Sequence, residues 1–417
     1  MTCCAPIINV AEYRTHNIRE TYFMIKKLFL TAPLAAMLAV PSVQAADDTI
    51  RVGINLVLTT PASIIGKQSK AAFEVAHKHL GGQVAGKKLE LIFEDNQFKP
   101  AIGKQKSEKL IKKDKVHFLT GFIFSHILGA SAPVGLKAGK FVISSNAGHT
   151  LYAGKKCHKN FFNAAWENSQ TPMAAGEMLN RKGVKSLYVL APNYAAGKQM
   201  ITGVTRTYKG KIVAKALTPM SLRDWSADLA KIRAAKPDGV FVFYPGAWGP
   251  AFFTQYAQAG LDKTIPLYNV FSVDGAVLPI FQKRKMNHLL GTWNTNFWAP
   301  DLDFPANKKF VPAFKKHYKG QVPAHYAAQA YDTLMLIAAG IRAAKGDMSN
   351  KDAVRKGMEE ADFDSVRGRI KFGKNHFPIQ NFYARKVVNK DGLWQMSRVG
   401  EPVLKDHAPV NSGNCKL

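Results

Sequence analysis

Two polar segments that follow predicted strands carry the groups best suited to binding a charged ligand. Gly121–Ser125 ends an apolar strand with aromatic side chains and a serine, and Ser144–Gly148 ends the next strand with a polar loop. Open α/β sheets bind ligands at the carboxyl ends of their strands, where helix N-termini present unpaired amides. The Ser125 hydroxyl and nearby backbone N–H groups could therefore hold a ligand carboxylate. The alternatives are that Ser125 only caps a helix and that 144–148 is an ordinary turn.

Catalytic signatures are missing from the sequence. It contains no GxSxG, which a serine nucleophile elbow requires, and no HExxH, in which paired histidines hold catalytic zinc. It also has no CxxC pair, so neither a redox motif nor a thiolate zinc site is predicted. We therefore expect a protein that binds without catalysing a reaction and that carries no cofactor and no metal.

Short apolar runs alternate with longer amphipathic segments from Ile50 onward, which is typical of an α/β fold with mostly parallel sheets. A first array has predicted strands, separated by helices, at 50–58, 89–93, 116–120 and 141–144. The pattern restarts at Thr171, and the second array has predicted strands at 186–191, 211–216, 240–244 and 266–271. Two consecutive arrays imply two doubly wound lobes with a cleft between them.

The residues after Gly291 decide how the lobes are connected. A strand is predicted at 292–298, followed by a Pro-rich loop, a long helix at 324–344 and an aromatic strand at 382–388. We expect the first of these strands to return to lobe one and the last to join lobe two. The predicted lobes are therefore 46–165 with 292–380, and 166–291 with 381–417. Several crossings of this kind form a hinge, which permits closure around a ligand.

Residues 1–45 have the properties of a leader. A positive n-region at 26–27 precedes an apolar run and then small residues that suit cleavage near Ala45. The apolar run is shorter than the ~20 residues that span a bilayer, so a cleaved signal peptide is favoured over a membrane anchor. We interpret 24–45 as the signal peptide and 1–23 as an over-called start. The mature protein is expected to be soluble and periplasmic.

The composition describes a basic protein with a large core. The 417 residues carry a formal net charge of +29, of which +27 remains after loss of the leader, and 47% of them are hydrophobic. The basic residues are spread from Arg51 to Lys416 without a basic tail. An ordinary solvated surface is therefore favoured over nucleic-acid binding, and no nucleic-acid partner is expected. Weak attraction to an anionic membrane and steering of anionic ligands are the alternatives.

Two of the four cysteines belong to the mature chain. Cys3 and Cys4 lie in the leader, which leaves Cys157 and Cys415. In an oxidising compartment the simplest arrangement is one disulfide between them, tying the C-terminal tail to an internal loop. The alternative is two free thiols.

Several short segments recur in the order and spacing of a known family. They are Thr59–Pro61 after the opening strand, Glu94–Asn96 with Pro100, Phe141–Ser144 with Asn146–Gly148, Asp224–Ser226 with Leu229 and Ile232, and Pro237–Asp238. Over nearly the whole mature chain, the sequence resembles the exported solute-binding proteins of the branched-chain amino acid ABC transporters, the leucine/isoleucine/valine-binding type. The resemblance implies a type I periplasmic-binding fold. It also implies a monomer that closes on its ligand by hinge motion and delivers it to a membrane permease.

The resemblance assigns site residues by position. Ser125 matches the serine that holds the ligand carboxylate, and Asn146–Gly148 match the loop that completes that site. Tyr194 matches a pocket aromatic on the second lobe. Another aromatic that caps the ligand in the family falls at Trp248 or Ala247.

A subgroup of proteobacterial family members is more similar in one region. The similarity covers 147–157, Phe161–Phe162, Trp166–Asn168 and the terminal Cys415. This subgroup implies aromatic or other carboxylates as ligands. Family members often have Thr where this chain has Gly148, so a hydroxyl is missing at that position.

The residue that pairs with a ligand ammonium in the family has two candidate positions here. Counting back from Gly291 places it at Asp274, and counting forward from Pro266 places it at Phe271. A buried carboxylate without a cation is costly, so Asp274 in the pocket would favour an α-amino acid. Phe271 there would favour an aromatic or aliphatic acid without an ammonium.

The predicted function is that of an extracytoplasmic receptor for a small carboxylate-bearing solute, with branched-chain or related amino acids favoured over aromatic carboxylates. The predicted ligand-binding residues are Phe124, Ser125, Asn146, Ala147, Gly148, Trp166, Asn168, Tyr194, Trp248, Phe271 and Asp274. Aromatic walls are expected from Phe122 as well. A ligand-sensing module of the same fold, an exported enzyme and a polyanion-binding protein are the weaker interpretations, because no signalling segment, nucleophile or basic tail supports them.

Overall fold

The computed structural model describes residues 48–417. The predicted leader, its cleavage site near Ala45 and the first two cysteines lie outside the described residues. Within 48–417, no helix has both the length and the apolar character needed to cross a membrane.

The first part of the chain forms a six-stranded sheet with its helices. Its elements are β1 (Thr49–Leu56), α1 (Ser63–His79), β2 (Gln83–Val84), β3 (Lys87–Asp95), α2 (Pro100–Lys112), β4 (Phe118–Gly121), α3 (Ser125–Lys137), β5 (Phe141–Ser144), α4 (Thr150–Ala153) and β6 (Phe161–Asn163). The strand order is β2-β3-β1-β4-β5-β6. β2 runs antiparallel to β3, and the other pairs are parallel.

Burial explains why the central strands of this sheet are apolar without alternation. Every residue of β4 and β5 is buried, as expected for parallel strands covered on both faces. The buried polar residue of β1 is Asn55, whose amide donates to Gly103 O (2.8 Å) and Ser107 Oγ (2.9 Å) of α2. The buried polar group is therefore satisfied and fixes α2 against the sheet.

The second sheet has eight strands. They are β7 (Ser186–Pro192), β8 (Lys211–Thr218), β9 (Gly239–Val242), β10 (Leu267–Asn269), β11 (Trp293–Asn296), β12 (Lys371–Phe372), β13 (Pro378–Lys390) and β14 (Leu393–His407). The order is β12-β13-β11-β10-β9-β7-β8, with β14 beside β13. The helices of this part of the chain are α5 (Gln170–Arg181), α6 (Ala195–Thr207), α7 (Ser226–Ala235), α8 (Trp248–Gln258), α9 (Leu278–Lys283), α10 (Pro305–His317), α11 (His325–Ala343) and α12 (Lys351–Glu360).

The strand predicted at 292–298 lies in the second sheet, whereas the sequence predicted that it returns to lobe one. β11 pairs in parallel with β10 and antiparallel with β13, so both of its edges are satisfied there. The return to the first sheet's side begins with α10 instead, because His317 Nε2 lies 2.8 Å from Glu74 Oε2 of α1. It continues at the start of α11, where Ala324 N donates to Gln68 Oε1 of α1 (2.7 Å). The other predicted lobe bounds stay a prediction.

The Pro-rich segment predicted as a loop contains α10. Pro305 occupies the first turn of this helix, where a missing N–H leaves no bond unmade, and Pro312 lies inside the helix. Pro305 therefore marks a helix start here.

The tail after β14 is fixed to the first sheet's side of the molecule. Cys157 and Cys415 form a disulfide, which is the pairing that the sequence predicted. Asn411 donates to Glu167 Oε1 (3.1 Å), a carboxylate that is itself fully buried.

Candidate ligand-binding site

A cavity lies where the carboxyl ends of strands from both sheets meet. The first sheet contributes the segments after β4, β5 and β6, and the second sheet contributes those after β7, β9 and β10. The lining residues are Ile65, Ile123, Phe124, Ser125, Asn146, Ala147, Trp166, Asn168, Tyr194, Ala196, Met200, Phe243, Pro245, Phe271 and Tyr326.

The turn after β4 brings Ser125 to the cavity. Gly121 has φ +102°, and a Cβ at this position would lie 2.3 Å from Asn55 O, so only glycine fits. α3 then begins at Ser125 without a side-chain cap, which removes the interpretation of Ser125 as a helix cap. The N–H groups of Ser125 and His126 have no acceptor among the described residues. They lie at the N-terminal end of α3, beside the cavity, and are free to bind an anion.

Asn168 sets the direction in which the Ser125 hydroxyl can donate. Its Oδ1 accepts from Gly148 N (3.1 Å), so its Nδ2 is the group that donates to Ser125 Oγ (3.0 Å). Because Ser125 Oγ already accepts this bond, its own proton remains available to the cavity. Ser125 is therefore a positioned donor.

The loop 146–148 is shaped by its own hydrogen bonds. Asn146 donates to Ile123 O (2.5 Å) and accepts from Gln329 of α11. Gly148 does not line the cavity, and a Cβ there would lie 2.3 Å from Trp166 O. The hydroxyl that is missing at this position could not be accommodated, because the loops 146–148 and 166–168 approach too closely.

Phe271 reaches the cavity through a strained turn after β10. It has φ +59°, an uncommon conformation for a bulky residue. The turn is held because Asn269 Oδ1 accepts from Ser272 N (3.3 Å) and Val273 N (3.0 Å). The ring of Phe271 packs against that of Trp166 with centroids 4.6 Å apart. Both rings line the cavity.

Asp274 does not line the cavity and lies beside Tyr326, which does. It is 1% exposed, and its Oδ1 accepts from Ala276 N (2.8 Å) as a turn cap. Burial raises the pKa of Asp274 to about 6, although backbone N–H groups, the charge of Arg385 and the nearby Tyr326 hydroxyl favour its ionised form. Of the two candidate positions, the structure thus places Phe271 on the wall and Asp274 outside the lining.

Trp248, another predicted site residue, belongs to an aromatic cluster beside the cavity. The ring of Phe98 lies 4.6 Å from Phe124, 4.8 Å from His126 and 5.8 Å from Trp248, and His126 lies 5.4 Å from Tyr194. Burial lowers the pKa of His126 to about 4. This cluster joins the segments after β3 and β4 to α8 and to the start of α6, so it closes one side of the cavity. Phe122, expected as a wall, is fully buried in the core and does not line the cavity.

The lining contains neutral polar groups but no Asp, Glu, Lys or Arg. Burial raises the pKa values of Tyr194 and Tyr326 well above their ordinary range, so both phenols stay neutral. The indole Nε1 of Trp166 is buried without a hydrogen-bond partner among the described residues. Within 48–417, no group of three or more His, Cys, Asp or Glu side chains could hold a metal ion.

Seven lining residues were not predicted. They are Ile65, Ile123, Ala196, Met200, Phe243, Pro245 and Tyr326. Pro245 directly follows the predicted strand 240–244 and Phe243 lies near its end, so the rule that pointed to Ser125 could have found them. Ile65 and Tyr326 come from helices α1 and α11, and no local pattern marks them.

The sequence matches a family model described as periplasmic binding protein over residues 49–392. The chain belongs to the periplasmic binding protein family. Members of this family are solute-binding receptors and not enzymes. The predicted family and the predicted α/β class, with two sheets that are mostly parallel, are confirmed.

Three relatives show how this periplasmic binding protein compares with known proteins. The Leu/Ile/Val-binding protein homolog 6 of Brucella abortus (strain 2308) is 27% identical over 404 residues, which cover 91% of this chain and 100% of the relative. An ABC transporter solute-binding protein from R. palustris, solved in complex with benzoate, is 28% identical with a TM-score of 0.80, covering 88% of this chain and 100% of that one. A solute-binding protein from Rhodopseudomonas palustris BisB5, solved with 3,4-dihydroxybenzoic acid, is 27% identical with a TM-score of 0.77, covering 86% and 99%.

Proposed function

We propose that this periplasmic binding protein captures a small aromatic carboxylate in the cavity and delivers it to the membrane permease of an ABC importer. The observation that carries the proposal is the placement of Phe271 on the cavity wall, with Asp274 outside the lining and no charged side chain in it. The family and the predicted leader favour a periplasmic location.

The absence of a carboxylate from the lining disfavours an amino acid. An α-amino acid would bring an ammonium into a cavity whose lining contains no anion to pair with it. Burial of an unpaired charge costs several kcal/mol. A ligand without an ammonium avoids this cost.

A ligand carboxylate, in contrast, meets suitable donors. The Ser125 hydroxyl is held by Asn168 with its proton available, and the first N–H groups of α3 are unpaired. The N-terminus of a helix stabilises an anion by about 0.3 to 1 kcal/mol, and more where it is partly buried. Hydrogen bonds from these donors to a charged oxygen add about 1.5 to 3 kcal/mol each.

The aromatic lining of the cavity suits a single ring. Phe124, Trp166, Tyr194, Phe243 and Phe271 supply aromatic walls. The two solved relatives that hold benzoate and 3,4-dihydroxybenzoic acid support this ligand class.

Branched-chain amino acids are the second candidate. The curated Brucella abortus relative is named as a Leu/Ile/Val-binding protein homolog and aligns over its whole length. In that case the ligand ammonium would have to be held by neutral oxygens.

A thermal-shift screen of the protein tests the proposal. Benzoate, 4-methylpentanoate and leucine are compared at equal concentrations, since 4-methylpentanoate is leucine without its ammonium. A ligand that binds only the folded state raises the melting temperature by mass action. We expect the largest increase with benzoate and none with leucine. An increase with leucine and none with benzoate would replace the proposal by the amino acid candidate.

A further inference from the structure

We infer that Gln199 is a positioning residue that holds the two sides of the cavity together and keeps the Ser125 hydroxyl directed at the ligand. Gln199 does not line the cavity itself. It lies on α6, between Ala196 and Met200, which do. The choice of ligand in the test of this inference rests on the proposed function. The role of Gln199 is inferred from its contacts alone.

The amide of Gln199 bridges elements of both sheets. Its Oε1 accepts from Asn168 Nδ2 (2.6 Å), and its Nε2 donates to Thr150 Oγ1 (2.8 Å) and lies 3.3 Å from His149 Nδ1. α6 follows β7 of the second sheet, whereas Thr150 begins α4, between β5 and β6 of the first sheet. Among the described residues, no other side chain of α6 has a hydrogen bond to α4.

The orientation of each amide in this bridge is determined by its partners. Asn168 Oδ1 is occupied by Gly148 N, so Asn168 donates both Nδ2 hydrogens, one to Ser125 and one to Gln199. Gln199 Oε1 is therefore an acceptor, and its Nε2 must donate. His149 Nδ1 accepts from Leu151 N (3.3 Å), so it is unprotonated, and its single lone pair is shared between Leu151 N and Gln199 Nε2. Thr150 Oγ1 is therefore the main acceptor for Gln199 Nε2.

Through this bridge, the orientation of the Ser125 hydroxyl depends on contact between the two sides of the cavity. If the sides separate, Gln199 loses its bond to Thr150 of the first sheet's side. Without Gln199 Oε1 as an acceptor, Asn168 loses one of the partners that fix its amide, and its bond to Ser125 is less well directed. Gln199 therefore stabilises the arrangement in which the two sides meet around the ligand.

The test compares Gln199→Ala with Lys198→Ala in the full chain, with benzoate as the probe. Lys198 is the exposed neighbour on the same helix, and its side chain has no hydrogen bond or ion pair among the described residues that involves the cavity. Calorimetry is expected to show about tenfold weaker benzoate affinity for Gln199→Ala, the effect of about one hydrogen bond, and less than about twofold for Lys198→Ala. The melting temperatures of both ligand-free variants should stay within about 2 °C of the wild type.

A Thr150→Val substitution separates the bridge from a structural role. Thr150 does not line the cavity, so we expect Thr150→Val to weaken benzoate binding only through the loss of its bond to Gln199. The substitution should therefore lower the affinity of the wild type and leave that of Gln199→Ala unchanged. Additive effects of the two substitutions would overturn the inference. Unchanged benzoate affinity in Gln199→Ala, or a loss matched by a large fall in the ligand-free melting temperature, would also overturn it.

A failure of the proposed function can be distinguished from a failure of this inference. If benzoate does not bind the wild type, the bridge is judged on the ligand-free proteins by small-angle scattering. A larger radius of gyration for Gln199→Ala than for the wild type and Lys198→Ala supports the inference. Equal radii for all three contradict it.

Discussion

At the residue scale, Ser125 is the side chain on which carboxylate binding depends most. Ser125→Ala removes a hydroxyl that Asn168 orients towards the cavity. We expect calorimetry to show benzoate affinity weaker by about 1 to 3 kcal/mol, as for one lost hydrogen bond to a charged group. Thr202→Ala is a matched control, because Thr202 is an exposed α6 hydroxyl bonded to Lys198 O in its own helix. Equal affinities for wild type and Ser125→Ala would remove Ser125 from the site.

Asp274 provides the complementary test at a single residue. In Asp274→Asn the side-chain oxygen can still accept from Ala276 N, while the negative charge is lost. Since Asp274 does not line the cavity, we expect the benzoate dissociation constant to change by less than about twofold. The measurement is the same titration. A protein that binds leucine and loses this binding in Asp274→Asn would show that the carboxylate pairs with a ligand ammonium.

The strand-end rule predicted the polar half of the site well and the apolar half poorly. Ser125 and Asn146 follow predicted strands and lie on the cavity wall, although their binding roles stay predictions. Asn168 also lies on the wall, but it was expected from the family resemblance. Tyr326 was missed because its position depends on how α11 packs, which no local pattern encodes. The choice between Phe271 and Asp274 stayed open because the two ways of counting along the sequence disagree.

At the element scale, the aromatic cluster around His126 predicts a pH dependence of stability. Burial lowers the pKa of His126 to about 4 in the folded protein, below the ordinary value of 6.5. Between these values the unfolded chain binds more protons, so stability is lost as the pH falls from 6.5 towards 4. His149 acts in the same direction, and Asp274, whose pKa is raised to about 6, acts in the opposite one.

A comparison with His126→Phe isolates the histidine. The phenyl ring fills the same space between Phe98 and Tyr194 but does not titrate. Urea unfolding at pH 4 to 7 should show the wild type gaining about 2 to 3 kcal/mol relative to His126→Phe as the pH rises. Parallel curves for the two proteins would show that His126 is not buried in this cluster.

Element prediction succeeded where the apolar pattern was strong. β5 lies at Phe141–Ser144 as predicted, because all four residues are buried. β14 was missed, since its residues alternate weakly and its place is set by antiparallel pairing with β13. β11 was assigned to the wrong sheet because a strand's sequence shows its burial but not which neighbour it pairs with. The sheet in which such a strand lies is therefore determined by its pairing in the tertiary structure and not by its own sequence.

At the scale of the whole molecule, one buried ion pair ties together segments distant in sequence. Arg367 Nε donates to Asp332 Oδ2 of α11 (2.8 Å), and its other nitrogens donate to Ala164 O (2.5 Å), Ala165 O (3.0 Å) and Gln380 Oε1 of β13 (2.8 Å). Both charged side chains are almost fully buried. The pair thus joins the segment after β6 to α11 and the second sheet.

Removal of Arg367 should destabilise the protein as a whole. Arg367→Met leaves Asp332 as an uncompensated buried charge, which costs about 3 to 5 kcal/mol. Urea unfolding should show this loss at neutral pH, with partial recovery in the double variant Arg367→Met/Asp332→Leu, in which no buried charge remains. A loss below about 1 kcal/mol for Arg367→Met would contradict the buried pair.

Calorimetric titration with phenylacetate and phenylglycine tests most directly whether the site accepts a carboxylate without an ammonium. The two ligands share one skeleton and differ only in the α-ammonium of phenylglycine. With Phe271 on the wall and no charged side chain in the lining, we expect phenylacetate to bind and phenylglycine to bind at least about 100-fold more weakly. Tighter binding of phenylglycine would contradict the proposed ligand class and require an anionic partner for the ammonium inside the cavity.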